Sequence, residues 1–300
     1  MQVVPLNRIA LFFEDLFAMP ISKASIIQFN RTCHRKLADV EARIVETILA
    51  SPALHADETG LYCQNKRQWM RSLGAETATY YARHEKRGRA AIDEIGILPR
   101  YRGILMHDFW KSYLEYECDH ALRNVHHLRD LNFIIEQDGA IWAEKMKQLL
   151  LDSKKALDDH KADGVSAALD DEERRSFNQR YWEIISEELS DMPPPGRTPP
   201  KRGRTKQSKS KNLLDRFCNY RTEILRFMDD WRVPFDNNLA ERDIRMAKVK
   251  QKISGCFRTL EGADQFCRIR GYISTAMKNN VSAFQALHGV FSNNPFIPSS

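Results

Sequence analysis

The sequence has no apolar run near the ~20 residues that a helix needs to cross a bilayer. Its first residues show no basic stretch followed by an apolar core and a small-residue cleavage site, so no signal peptide is expected. The six cysteines, at 33, 63, 118, 218, 256 and 267, are scattered and never form CxxC. That argues against a disulfide framework and makes a reducing cytoplasm the expected compartment. Neither a Gly-rich phosphate loop nor a Ser-His-Asp set in a recognisable local context is found. No internal repeat stands out.

What is present is the composition of an ordinary globular chain, with 29% charged and 10% aromatic residues over 300 positions. The formal charge of +6 is modest but unevenly spread. Residues 197 to 211 hold Arg197, Lys201, Arg202, Arg204, Lys206, Lys209 and Lys211 without an acid, while Asp152 to Asp191 is rich in Asp and Glu. From Arg242 to Arg270 basic residues again outnumber acids. Such a C-terminal third can displace counterions from a phosphate backbone, or it can be a solvated surface; charge alone leaves both open.

The pattern along the chain predicts an α/β fold with a large helical insertion. LNRIALFFEDLF and LADVEARIVETILA carry apolar residues at helical spacing, giving an N-terminal helical segment over 1–50. ALHADETGLYC, KRQWMRSLG and TATYYARHE read as a three-stranded meander, RGRAAIDEIGIL as a helix ended by Pro99, RGILMHD as a buried strand and HALRNV as a short fifth strand. Residues 51–125 thus form the first part of the core. Residues 126–232 read as mostly amphipathic helix, interrupted by a basic, Pro-rich stretch at 192–211 that cannot build a packed core. Residues 233–300 hold a further helix and the basic C-terminal region.

Three acids stand where a metal-dependent nucleic-acid enzyme would need them. Asp57 in LHADETG and Asp108 in GILMHDFW close apolar strands, and Glu241 in DNNLAERDIRM opens a helix. Two magnesium ions about 4 Å apart can drive in-line phosphodiester cleavage when a few carboxylates hold them. Asp57 and Glu58 face opposite ways in a strand, so one alone points to a shared site. Each acid also has a plainer reading. Asp57 and Asp108 suit turn entry, and Glu241 can close a capping box on Asn238. Arg245 and Lys248 follow Glu241 on the same helix face, with Lys250 and Lys252 nearby. They and Arg202 and Arg204 are the candidate phosphate contacts. His120, His126 and His127 match no strong zinc spacing, and the tryptophans read most simply as core or interface anchors.

HADETG, KRQWMRSLG, HEKRGRAAIDEIGILPRYRGILMHDFW, NVHHLRDL and above all VPFDNNLAERDIRMAKVKQKISGCFRT resemble the catalytic region of insertion-sequence-66 family transposases, and RIRGYISTAMKN extends the match. The resemblance implies an RNase H-like mixed sheet and an Asp, Asp, Glu triad that falls on Asp57, Asp108 and Glu241. It also implies two Mg2+ ions, with Mn2+ as substitute, and DNA strand cleavage and transfer. The implied partners are DNA at the element ends and target, further copies of the chain, and accessory proteins encoded by the same element, with no membrane. A bacterial cytoplasm, at the nucleoid when bound, is the implied location. The family's helical DNA-binding region and cysteine-rich zinc segment have no counterpart here, so a truncated copy or displaced start is expected. Arg123 stands where the family tends to have Cys. An RNase H-like nuclease and a silent DNA-binding relic are the alternatives.

Overall fold

The structure, a computed structural model, describes residues 3–162, 169–191, 207–236 and 238–298, apart from the side chains of 238–241. Three helices come first: α1 (Leu6–Phe17), α2 (Lys23–Lys36) and α3 (Ala38–Ala50). In α3, Val40, Ile44 and Ile48 recur every four residues and are buried together, the stripe an amphipathic helix turns to a core. The meander follows as β1 (Ala53–Cys63), β2 (Lys66–Gly74) and β3 (Thr79–His84), with β1 and β2 at the bounds the sequence predicts. Gln64 and Asn65 link β1 to β2 with φ of 50° and 62°, the two-residue turn that suits the twist of paired strands.

α4 (Arg89–Ile95) stops short of the expected Pro99. Gly96 ends it by taking a left-handed φ of 73° and donating its amide to the Ile92 carbonyl. Pro99 falls in a separate 3-10 turn, Leu98–Arg100. β4 (Ile104–His107) and β5 (Asp119–Leu122) complete a five-stranded sheet in the order β3-β2-β1-β4-β5. β1 is antiparallel to β2 and β2 to β3, whereas β1 and β4 run parallel. The long helical region holds α5 (Asn124–Asp138), α6 (Ile141–Ala162), α7 (Asp171–Asp191), α8 (Lys209–Asn219) and α9 (Arg221–Asp229). Within the region that reads as mostly amphipathic helix, Gly139, at φ 60°, parts α5 from α6, and Tyr220, at φ −126° and ψ 33°, parts α8 from α9. α10 (Asn238–Ser254), α11 (Leu260–Lys278) and α12 (Ala283–Phe291) close the chain. The class is α/β, an RNase H-like mixed sheet with helices inserted between Asp108 and α10.

The chain forms two compact units: Met1–Asp119 with Asn238–Ser300, and His120–Asn237. In the first, alternation along the strands gives the sheet two buried faces. Leu54, Ala56, Leu73 and Leu105 pack against Val40, Ile44 and Ile48 of α3 and against Tyr101 and Tyr113. Leu61, Cys63, Met70 and Tyr81 pack against Ile244 and Ala247 of α10 and against Ala263 and Cys267 of α11. In the second unit, Phe217 is ringed by Trp142, Tyr181 and His127 at centroid distances of 6.3, 6.1 and 5.4 Å. Among the described residues no helix is long and apolar enough to cross a membrane.

Candidate active site

The two aspartates come together through strand register. In the parallel pair, Ala53 lies opposite Ile104, Leu54 opposite Leu105 and His55 opposite Met106. Asp57 lies two residues past His55 within β1, and Asp108 lies two residues past Met106, directly after the end of β4. Alternation turns Asp57 to the face that carries His55 and Met106 rather than to the face of Leu54 and Leu105, and extending the alternation of β4 by one residue assigns Asp108 to the same side. α10 packs on the same side, because Leu61 and Met70, which meet its Ile244 and Ala247, alternate in step with Asp57 and its cross-strand partner Ser72. Both aspartates are half-buried. The Glu58 amide donates to Asp57 Oδ1 at 2.8 Å, and the Trp110 amide donates to the Asp108 carbonyl at 2.6 Å. Glu58 faces away, accepting from Arg87 Nη2 at 2.6 Å and from the Tyr113 hydroxyl at 2.7 Å.

Glu241 lies in the first turn of α10, but its side chain is outside the described residues. Asn238 is the first helical residue, so the Asn238–Glu241 capping pair falls in that same undescribed set. What the structure does show is how firmly α10 is tied to the sheet. The buried Asp243 carboxylate accepts from Thr79 Oγ1 at 3.1 Å, Ser274 Oγ at 2.8 Å and Lys278 Nζ at 3.1 Å. Tyr81 donates its hydroxyl to the Asp243 carbonyl at 2.8 Å. Burial lowers the Lys278 pKa, and the Asp243 charge counteracts that. At the other end, Gln251 Nε2 donates to the Gly60 carbonyl at 3.1 Å, and the Phe257 amide donates to the Tyr62 carbonyl at 2.9 Å. Sequence reading passed over Asp243. Its one signal is an acid inside a basic stretch, directly before an apolar helix position.

Arg245, Lys248 and Lys252 project from α10 into solvent. Lys250 instead donates to the carbonyls of Gly255 and Cys256 at 3.1 and 3.4 Å, with its ammonium 4.1 Å from the Phe257 ring centre. Burial lowers its pKa. Arg202 and Arg204 lie outside the described residues.

The histidine cluster belongs to the helical unit. The His120 carbonyl accepts from Arg226 Nε at 2.8 Å, and Asn124 donates to the Ile224 carbonyl at 2.9 Å. His127 is buried beside Asn124 Oδ1, 3.3 Å from its Nδ1, and burial brings its pKa down to about 3. Arg123 is also buried there.

Chemically, Asp57 in β1 and Asp108 at the end of the neighbouring parallel β4 are hard-oxygen donors of the kind that suits magnesium. Ser72, directly across from Asp57, adds a buried hydroxyl with no hydrogen-bond partner among the described residues. A hydrated cation would satisfy such a group. Among the described residues no three His, Cys, Asp or Glu side chains gather closely enough to hold a metal. Compared with known proteins, residues 1–265 match the model of the Transposase IS66 family. No curated protein matches the chain.

Proposed function

The chain belongs to the Transposase IS66 family, and on that premise we propose that it cuts and joins DNA with Asp57, Asp108 and Glu241 as a DDE-type triad. The observation that carries this reading is the parallel pairing of β1 with β4, the strand that holds Asp57 beside the strand that Asp108 follows, with α10 packed on the Asp57 face of the sheet. The three carboxylates would hold two Mg2+ ions, and the metal would supply Lewis acidity at the scissile phosphate. The protein's own part is to position. Asp243 fixes α10 over the sheet, while Arg245, Lys248 and Lys252 meet the phosphates of the bound strand. DNA at the element ends and at the target is the substrate. Further copies of the chain, and proteins encoded by the same element, are the proposed partners.

Calorimetric titration with Mn2+ tests the site without knowledge of the DNA ends. The wild type binds the ion and Asp57→Asn does not; equal binding by the two overturns the assignment. With DNA supplied, Asp108→Asn loses metal-dependent nicking while its thermal melting stays at the wild-type temperature.

A further inference from the structure

On the opposite face of the same hairpin, cations and aromatic rings alternate in a continuous ladder. Register places Glu58 opposite Arg71, Gly60 opposite Trp69 and Tyr62 opposite Arg67, and directly opposed residues share a face. This is the side that α3 and the buried tyrosines cover only as far as Ala56 and Leu73. Beyond that point the face opens: Tyr62 is 52% exposed and Arg67 is exposed. The Arg67 guanidinium lies 4.4 Å from the centre of the Trp69 ring. Arg87 sits between Trp69 and Trp110, at 4.8 and 4.7 Å, and Arg71 continues to Trp110 and Tyr113 at 5.7 Å each.

The ladder is held from within. Glu58, whose side chain is 7% exposed, binds Arg87 and Tyr113. Arg71 reaches the Tyr113 hydroxyl at 3.3 Å and the Arg87 carbonyl at 2.9 Å. Gly60 leaves room for Arg67, since a Cβ there would lie 3.1 Å from Arg67 Nε. Three guanidinium charges, on Arg67, Arg71 and Arg87, face the single carboxylate of Glu58. The ladder starts one residue past Asp57 and two past Asp108.

We propose that this face, ending in Arg67 and Tyr62, is a stacking site for an unpaired stretch of the DNA strand, an inference that rests on the transposase reading. Planar guanidinium and phenol groups present π-faces that accept any base, and the net positive charge follows the phosphates. A fully paired duplex offers no free base face to such a surface.

The test is fluorescence anisotropy of a labelled oligothymidylate and of a duplex of equal length. It uses the full chain in EDTA, so that metal-dependent chemistry is silent. Tyr62→Leu combined with Arg67→Lys keeps charge and bulk but removes the planar groups. It binds the single strand about tenfold more weakly than wild type, with duplex affinity unchanged. An unchanged single-strand affinity, or an equal loss for the duplex, overturns the proposal. Asp57→Asn binds the oligothymidylate as wild type does, so failure of the stacking site and failure of the metal site are read separately. Both altered side chains are at the exposed end of the ladder, and an unchanged melting temperature verifies that the variant is folded.

Discussion

The sheet-bearing unit buries a hydrogen-bonded carboxylate–ammonium node, whereas the helical unit buries mostly apolar side chains. In the first, Arg71, Asp243 and Lys278 lie inside, each with several hydrogen-bond partners. In the second, Trp142, Tyr181, Phe217 and Phe227 fill the interior, and the Tyr181 hydroxyl is satisfied by the Phe217 carbonyl at 2.7 Å. Apolar contact is non-directional, so it fixes volume more than angle. A buried carboxylate with three donors fixes both. The unit that carries the candidate aspartates, with α10 packed on its sheet, is the one built with such a node.

The strongest way to break that comparison is Asp243→Ala. It leaves Lys278 Nζ with the Ala75 and Ala78 carbonyls, at 2.8 and 3.2 Å, and no counter-charge. Removing one partner of a buried pair costs about 3–5 kcal/mol, measured here by urea unfolding. A loss below about 1 kcal/mol would mean that the apolar contacts of Ile244 and Ala247 are enough to seat α10. If the node sets angle as well as stability, Asp243→Ala also weakens Mn2+ binding under conditions where the protein remains folded.

A smaller effect comes from the helical unit. His127 has an ordinary value of 6.5 and is brought to about 3 by burial, with the charges of Arg216 and His126 adding to the fall. Between those two values the unfolded chain binds a proton that the folded chain does not. Stability conferred by the neutral ring is therefore fully present above about pH 6.5 and falls as the pH drops, by about 2 kcal/mol at pH 5. His127→Gln removes that part of the slope, as read from urea midpoints between pH 7.5 and pH 5. Parallel slopes for wild type and variant would show that the acid sensitivity lies elsewhere.

How far the sequence could be read depended on whether the information was local. β1 and β2 emerge at their expected bounds because alternation and turn residues specify them residue by residue. Asp57 and Asp108 read as strand ends, but Asp57 lies inside β1, which runs on to Cys63, and only Asp108 follows the end of its strand; their approach depends on β4 lying parallel and next to β1, which no short segment encodes. Pro99 was the wrong helix stop because Gly96 offered an earlier one, and Tyr220 broke a pattern whose apolar spacing looked continuous. The arginine–tryptophan ladder was hidden for a different reason. Its members come from β2, from the segments after β3 and β4, and from no shared motif, so Trp69 and Trp110 look like ordinary core residues until the register is known. Asp243 was masked by the basic residues around it.

The mildest test compares ion pairs at two depths. Lys145 and Glu187 of the helical unit meet at 2.5 Å, closer than Lys278 and Asp243 at 3.1 Å, but their side chains are 49% and 60% exposed against 10% and 6%. Water already solvates both exposed partners, and holding two long side chains together costs entropy, so the shorter contact is the weaker one. Lys145→Ala changes the urea midpoint by the equivalent of about 0.5 kcal/mol or less, and raising the salt concentration removes what there is. A loss approaching that of Asp243→Ala would mean that contact distance, not depth, ranks the ion pairs of this protein. The buried node under α10 would then have no special claim to hold the site.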